Sequence, residues 1–65
     1  MTIIFQCSTG FEIGRWENWQ GQVPQKGDII YDPSWKEYKE KFINSKVIGR
    51  VLDATNPDEI IIYLD

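Results

Sequence analysis

The chain has 65 residues, a formal charge of −3, one cysteine and no histidine, which excludes an intrachain disulfide and the common zinc sites built from histidine and cysteine. A domain this short buries only about 60% of the surface its unfolded chain exposes, so its three Trp, three Tyr and three Phe carry much of the area available for burial. Ten acidic against seven basic residues weigh against a nucleic-acid partner, since binding to phosphates rests on Lys and Arg.

Residues 2–7 alternate, with Ile3, Phe5 and Cys7 on one side against Ile4 and Gln6 on the other, the period-two pattern of a strand. This amino-terminal stretch has no basic region followed by a long apolar run, so neither a signal peptide nor a membrane span is expected. A single free thiol makes the reducing cytoplasm the expected compartment. Ser8-Thr9-Gly10 interrupts the alternation, which resumes over residues 11–16 with Phe11 and Ile13 on one side. The two segments predict a hairpin with Gly10 at a position wanting positive φ and Gly14 at a bulge or a close backbone approach. Residues 17–27 have no sustained period and are rich in Gly, Asn, Gln and Pro, which reads as a loop. At eleven residues it is long for so small a domain, and long loops more often carry function.

A short third strand is expected over residues 28–31, introduced by Pro24-x-x-Gly27-Asp28. Ser34-Trp35-Lys36-Glu37 fits a capping box, in which the serine hydroxyl and the glutamate carboxylate satisfy each other's amides. Trp35, Tyr38 and Phe42 then fall at i, i+3 and i+7, one face of a helix. The spacing predicts a short helix over residues 34–43, the alternative being that residues 39–43 are extended. The last twenty residues read as a second hairpin: apolar runs over 47–52 and 60–64 flank Asn56-Pro57-Asp58-Glu59, the residue order of a type I turn. With Leu52 opposite Ile62, residues Ile48, Leu52, Ile60, Ile62 and Leu64 would share one face, and Val47, Val51, Ile61 and Tyr63 the other. Both faces are then apolar, whereas a sheet with one wet face shows polar residues there. The second face is expected to be covered, by the helix or by another copy of the chain.

Pro24-x-x-Gly27-Asp28-x-Ile30, Val47-Ile48-Gly49-Arg50-Val51 and Ile60-Ile61-Ile62-Tyr63 together resemble the pattern of small SH3-like β-barrels found among uncharacterised bacterial and phage proteins, over about residues 23–65. The resemblance implies a five-stranded, strongly bent sheet and a binding module, and it brings no catalytic residue. The expected architecture is a single mainly β domain over residues 1–65: five strands in a bent sheet or partly open barrel with one short helix, an α+β arrangement if that helix is prominent.

Catalytic chemistry finds little purchase in these residues. Cys7 has no histidine to activate it and lies on the apolar side of its strand, which reads as a buried, inert thiol. Asp28, Asp32, Asp53, Asp58 and Glu59 are expected at turns, facing solvent, and Asp53-x-x-Asn56-x-Asp58-Glu59 lacks the spacing and glycine of a calcium loop. No cofactor is implied. The aromatic residues are the feature that stands out. Trp16, Trp19, Trp35, Tyr38 and Tyr63 are the candidate binding residues, rigid anchors for a protein partner or for self-association; the plainer alternative is that they complete a small core. The function expected is a non-enzymatic protein-binding or assembly module. A small carboxylate-using enzyme is the alternative, and single-stranded nucleic-acid binding through the aromatics is the least expected.

Overall fold

The computed structural model describes residues 1–32 and 44–65. They form five strands: β1 (Thr2–Cys7), β2 (Glu12–Trp16), β3 (Ile29–Tyr31), β4 (Asn44–Leu52) and β5 (Glu59–Leu64). All five expected strands are present. The helix expected over residues 34–43, with Trp35 and Tyr38, lies outside the described residues. Among the described residues no helix is long and apolar enough to cross a membrane.

The strands make one mixed sheet in the order β2-β1-β5-β4-β3, curled into a half-barrel. Its centre is the parallel pair β1 and β5, in register from Thr2 with Glu59 to Cys7 with Leu64. Parallel strands are normally buried on both faces and read as unbroken apolar runs. That accounts for the Ile60-Ile61-Ile62-Tyr63-Leu64 run and for the consecutive burial of Ile3, Ile4 and Phe5. The inner face collects Ile3, Phe5, Ile13, Val47, Ile60, Ile62 and Leu64 into one core, with Cys7, Trp19, Val23 and Ile30 packed against it.

The amino-terminal hairpin pairs β1 with β2, and Gly10 has φ of 92° as its turn requires. The pairing slips between Phe5 with Gly14 and Gln6 with Glu12, so Ile13 is the extra residue of a bulge beside Gly14. A bulge places neighbouring residues on the same side, which lets Ile13 enter the core while Glu12 and Arg15 share the outer face, their side chains paired at 3.1 Å.

A second bulge corrects the expected facing of the closing hairpin. Leu52 lies opposite Ile60, and Val47 opposite Leu64, but Gly49 lies opposite Tyr63, so Ile48 is the extra residue. Ahead of the bulge Val47 is fully buried in the core; beyond it Ile48 is exposed, and Leu52 at the tip is 68% exposed although its partner Ile60 is buried. The expected facing therefore fails for Val47, which joins the core, and for the bulged and exposed Ile48; Leu52 does share the face of Ile60, opposite that residue and not Ile62, but stays exposed. The outer face keeps Val51 beside half-buried Ile61 and Tyr63, with Ile4 buried next to them.

Two turns define the hairpin's tip. The Glu59 amide donates to the Asn56 carbonyl at 3.0 Å, closing the expected type I turn, and the Asn56 amide donates to the Asp53 carbonyl at 3.0 Å. The Asp53 carboxylate accepts from the Thr55 hydroxyl at 2.6 Å and the Thr55 amide at 2.9 Å.

Candidate functional site

The loop over residues 17–27 is held at both ends. The Trp19 amide donates to the Met1 carbonyl at 2.7 Å, the Gly27 amide to the Val47 carbonyl at 2.9 Å, and the Val47 amide to the Asp28 carbonyl at 2.8 Å. Asn18 takes a positive φ of 58°, a conformation Asn tolerates better than most residues, and the chain reverses there. Further on, Asp28 closes a small ring with Gln25: its carboxylate accepts the Gln25 amide at 2.8 Å while its own amide donates to the Gln25 carbonyl at 2.9 Å. Gly27, with φ of 98°, supplies the left-handed turn position that a side chain would resist.

This fixed loop brings two of the candidate aromatics together. Trp16 shares the inner face with its register partner Ile3, and Trp19 reaches the same side from the loop. Their rings meet edge to face at 5.6 Å and 80°, and Trp19 meets Phe5 in the same manner at 6.4 Å and 67°. Such perpendicular contacts are favoured by the ring quadrupole and contribute about 0.5–1.5 kcal/mol beyond area burial. The Trp19 indole nitrogen donates to the Gln22 carbonyl at 3.2 Å, which fixes that ring. Trp19 is thus both core and site: one side packs on the core and the other stays open.

Beside the indole pair lies a cavity of about 360 Å³, within the range of small-ligand and side-chain pockets. Phe5 forms part of its lining, the loop side contributes Trp16, Trp19 and Gln20, and the β3 side contributes Ile29, Ile30, Tyr31 and Asp32. Several of these residues are left open: Trp16 is 52% exposed, Ile29 59% and Tyr31 69%. Among the described residues the wholly buried core side chains are others, Ile3, Ile13, Val47, Ile62 and Leu64.

Of the five candidate binding residues, Trp16 and Trp19 meet in this groove. Tyr63 does not join them. It alternates with the buried Ile62 and Leu64 and lies on the outer face, opposite Gln6 and Gly49. Trp35 and Tyr38 lie outside the described residues. Ile29, Tyr31 and Asp32 belong to the groove and were not among the candidates. The available signal was an apolar triplet on a strand too short to be covered on both sides, next to an acid.

The polar candidates take other roles. Asp28 and Asp53 are bound into turns, and the Thr55 hydroxyl holds the Asp53 carboxyl below its ordinary range. Asp58 is exposed and stands 3.8 Å from the terminal ammonium. Cys7 packs against the core as expected but is not fully buried. It is half-buried at the edge of the core, its Sγ lies 2.9 Å from the Thr9 hydroxyl, and that hydrogen bond lowers its pKa from the ordinary value. Among the described residues no group of three or more His, Cys, Asp and Glu side chains could hold a metal ion. Comparison with protein-family models, with curated proteins and with solved structures finds no match to this chain.

Proposed function

We propose that this protein is a non-enzymatic protein-binding module, which seats an exposed segment of a partner protein in the aromatic groove between the loop at Trp16–Trp19 and β3. The observation that carries the reading is the exposure of Trp16, Ile29 and Tyr31 around one cavity beside a core of other, buried residues. Large, rigid aromatic side chains partly open to water are the usual anchors of protein interfaces, because they bury much area at little entropic cost. The turn-bound carboxylates of Asp28 and Asp53 favour this reading over a carboxylate-using enzyme. The likeness of residues 23–65 to small SH3-like barrels agrees with a binding role, though fold analogy alone fixes no ligand.

Selection of short peptides from a random display library, with the purified protein as bait, tests the proposal. Enriched peptides are expected to lose binding to Trp16→Ala and to keep it toward Tyr63→Lys on the outer face. Peptides that lose binding only to Tyr63→Lys would move the site to the other side of the sheet.

A second reading, self-association through the outer face, is favoured by the exposure of Val51 opposite half-buried Ile61 and next to Tyr63. Sedimentation equilibrium across micromolar to millimolar concentrations tests it. A wild-type oligomer that becomes monomeric in Tyr63→Lys supports it, and a monomer throughout removes it.

A further inference from the structure

We propose that the partner segment binds as an added strand, extended along the free edge of β3 and held by its own backbone. This rests on the groove being a protein-binding site and names the form its occupant takes.

β3 ends the sheet order and, among the described residues, is flanked by β4 alone. The Val47 amide donates to the Asp28 carbonyl at 2.8 Å, so that carbonyl faces β4. Along an antiparallel ladder, hydrogen-bonded and non-hydrogen-bonded pairs alternate. Ile30, paired with Ser45, therefore turns its N–H and C=O toward β4, while Ile29 and Tyr31, paired with Lys46 and Asn44, turn theirs away. Each of these residues offers a backbone donor and a backbone acceptor along the outer edge.

The cavity follows that edge. Ile29, Ile30 and Tyr31 all line it, yet consecutive residues of a strand point to opposite faces, so a space that touches all three borders the strand along its side. Across it stand Trp16, at the end of β2, and Trp19. The cavity thus lies between the strands at the two ends of the sheet order. Backbone donors and acceptors facing an apolar wall suit a ligand that is polar along one side and apolar on the next, which describes an extended peptide.

The other terminal strand is guarded against such an addition. β2 carries the bulge at Ile13 and the exposed ion pair of Glu12 with Arg15, and bulges and charges both discourage a further strand. β3 has neither: its register with β4 is unbroken, and Ile29-Ile30-Tyr31 are uncharged residues that favour strands. Its three residues limit the added strand to a short stretch, so side chains must contribute to recognition. On the outer face Ile29 and Tyr31 stand opposite exposed Lys46 and Asn44, a mixed surface that favours no one residue type. On the inner side the segment meets Phe5, Trp16 and Trp19. The occupant is a short extended segment with β-branched apolar side chains at alternate positions.

The test is titration of the isotope-labelled protein with acetyl-Thr-Val-Thr-Val-Thr-amide to millimolar concentration, beside one variant N-methylated at both valines and one at the central threonine. The Ile29 and Tyr31 amide protons are expected to move downfield as they gain acceptors, and the Ile30 amide, already bonded to β4, to move least. One N-methylated variant is expected to bind several-fold to about tenfold more weakly, the net effect of a lost hydrogen bond. The other should bind like the parent, because the amides of an added strand face its neighbour at every second residue. Equal binding by all three peptides, equal weakening of both variants, or indole shifts at Trp16 and Trp19 without the alternation along β3 overturns strand addition and leaves the groove as a binding site. A titration that moves neither edge amides nor indole signals overturns both this inference and the binding role of the groove.

Discussion

The inner face of the sheet and the groove at its rim are built from the same kinds of residue and meet different fates. In the inner face, Ile3, Ile13, Val47, Ile62 and Leu64 are wholly buried; six register pairs join β1 to β5 and hold Ile3, Ile62 and Leu64, Val47 pairs with Leu64 from β4, and Ile13 enters at the bulge of β2. In the groove, Ile29 and Tyr31 sit on a strand of three residues and stay more than half exposed. The difference lies in how many neighbours the topology supplies. A central strand is flanked on both edges, and the curl of the sheet closes over its inner side. A terminal strand such as β3 has one flanking strand among the described residues, so its apolar side chains remain available to other molecules. Apolar character alone does not decide burial: Ile13, on the edge strand β2, is enclosed at its bulge, whereas Ile29 and Tyr31 on β3 stay exposed.

The largest effect is expected at the centre of the ladder. Ile62→Ala should cost about 2–5 kcal/mol, comparable to the whole net stability of about 3–5 kcal/mol that one core usually gives a chain of this size. Loss of cooperative unfolding, seen by circular dichroism, is the expected result; a variant that unfolds like wild type would break the comparison. Trp19→Ala should fall next. Its ring packs on Phe5 and on the core cluster but is only half-buried, so a loss of about 2–3 kcal/mol is expected, below the full range for a buried aromatic.

Smaller effects sharpen the boundary between the two regions. Asp53 holds the tip of the hairpin, outside the core, and its folded pKa is lowered by the Thr55 hydroxyl and amide. A depressed folded pKa means that the ionised form favours folding. The resulting stability is present above the ordinary aspartate range and is lost as pH falls through that range to the lowered folded value. Asp53→Ala should remove this part of the acid sensitivity, detectable as a flatter dependence of the unfolding midpoint on pH.

Cys7 lies where core and surface meet, and its effect is kinetic. Thr9→Val removes the hydrogen bond that lowers the thiol pKa, so the thiolate fraction near neutral pH and the rate of alkylation should both fall. An unchanged rate across the pH profile would mean that the hydroxyl does not control the thiol.

The strands were legible in the sequence because their signal is local. Ile3 and Phe5 alternate with Ile4 and Gln6, and Asn56-Pro57-Asp58-Glu59 carries its turn in its side chains. The parallel pairing of β1 with β5 was not legible, since it joins opposite ends of the chain and leaves no mark in local spacing. Its one trace was the unbroken run Ile60–Ile62, which posed the question of what covers a second apolar face. The structure answers part of it, by burying Ile4 and half-burying Ile61 and Tyr63 in the two central strands. The bulge at Ile48 was also hidden, because a one-residue slip depends on how two strands curl together and not on either alone. Trp16 and Trp19 could be named as candidates from the loop. Their meeting with Tyr31 and Asp32 depended on the hydrogen bonds that tie that loop to Met1 and Val47.

The central claim is that the groove side chains serve a partner and not the fold. Urea denaturation of Trp16→Ala and of Tyr31→Ala beside Ile62→Ala tests it most directly. The account predicts losses of about 1 kcal/mol for Trp16→Ala, which gives up one edge-to-face contact, and at most about 0.5 kcal/mol for the exposed Tyr31→Ala, with cooperative unfolding kept in both. Losses as large as that of Ile62→Ala would make these aromatics part of the core and contradict the claim.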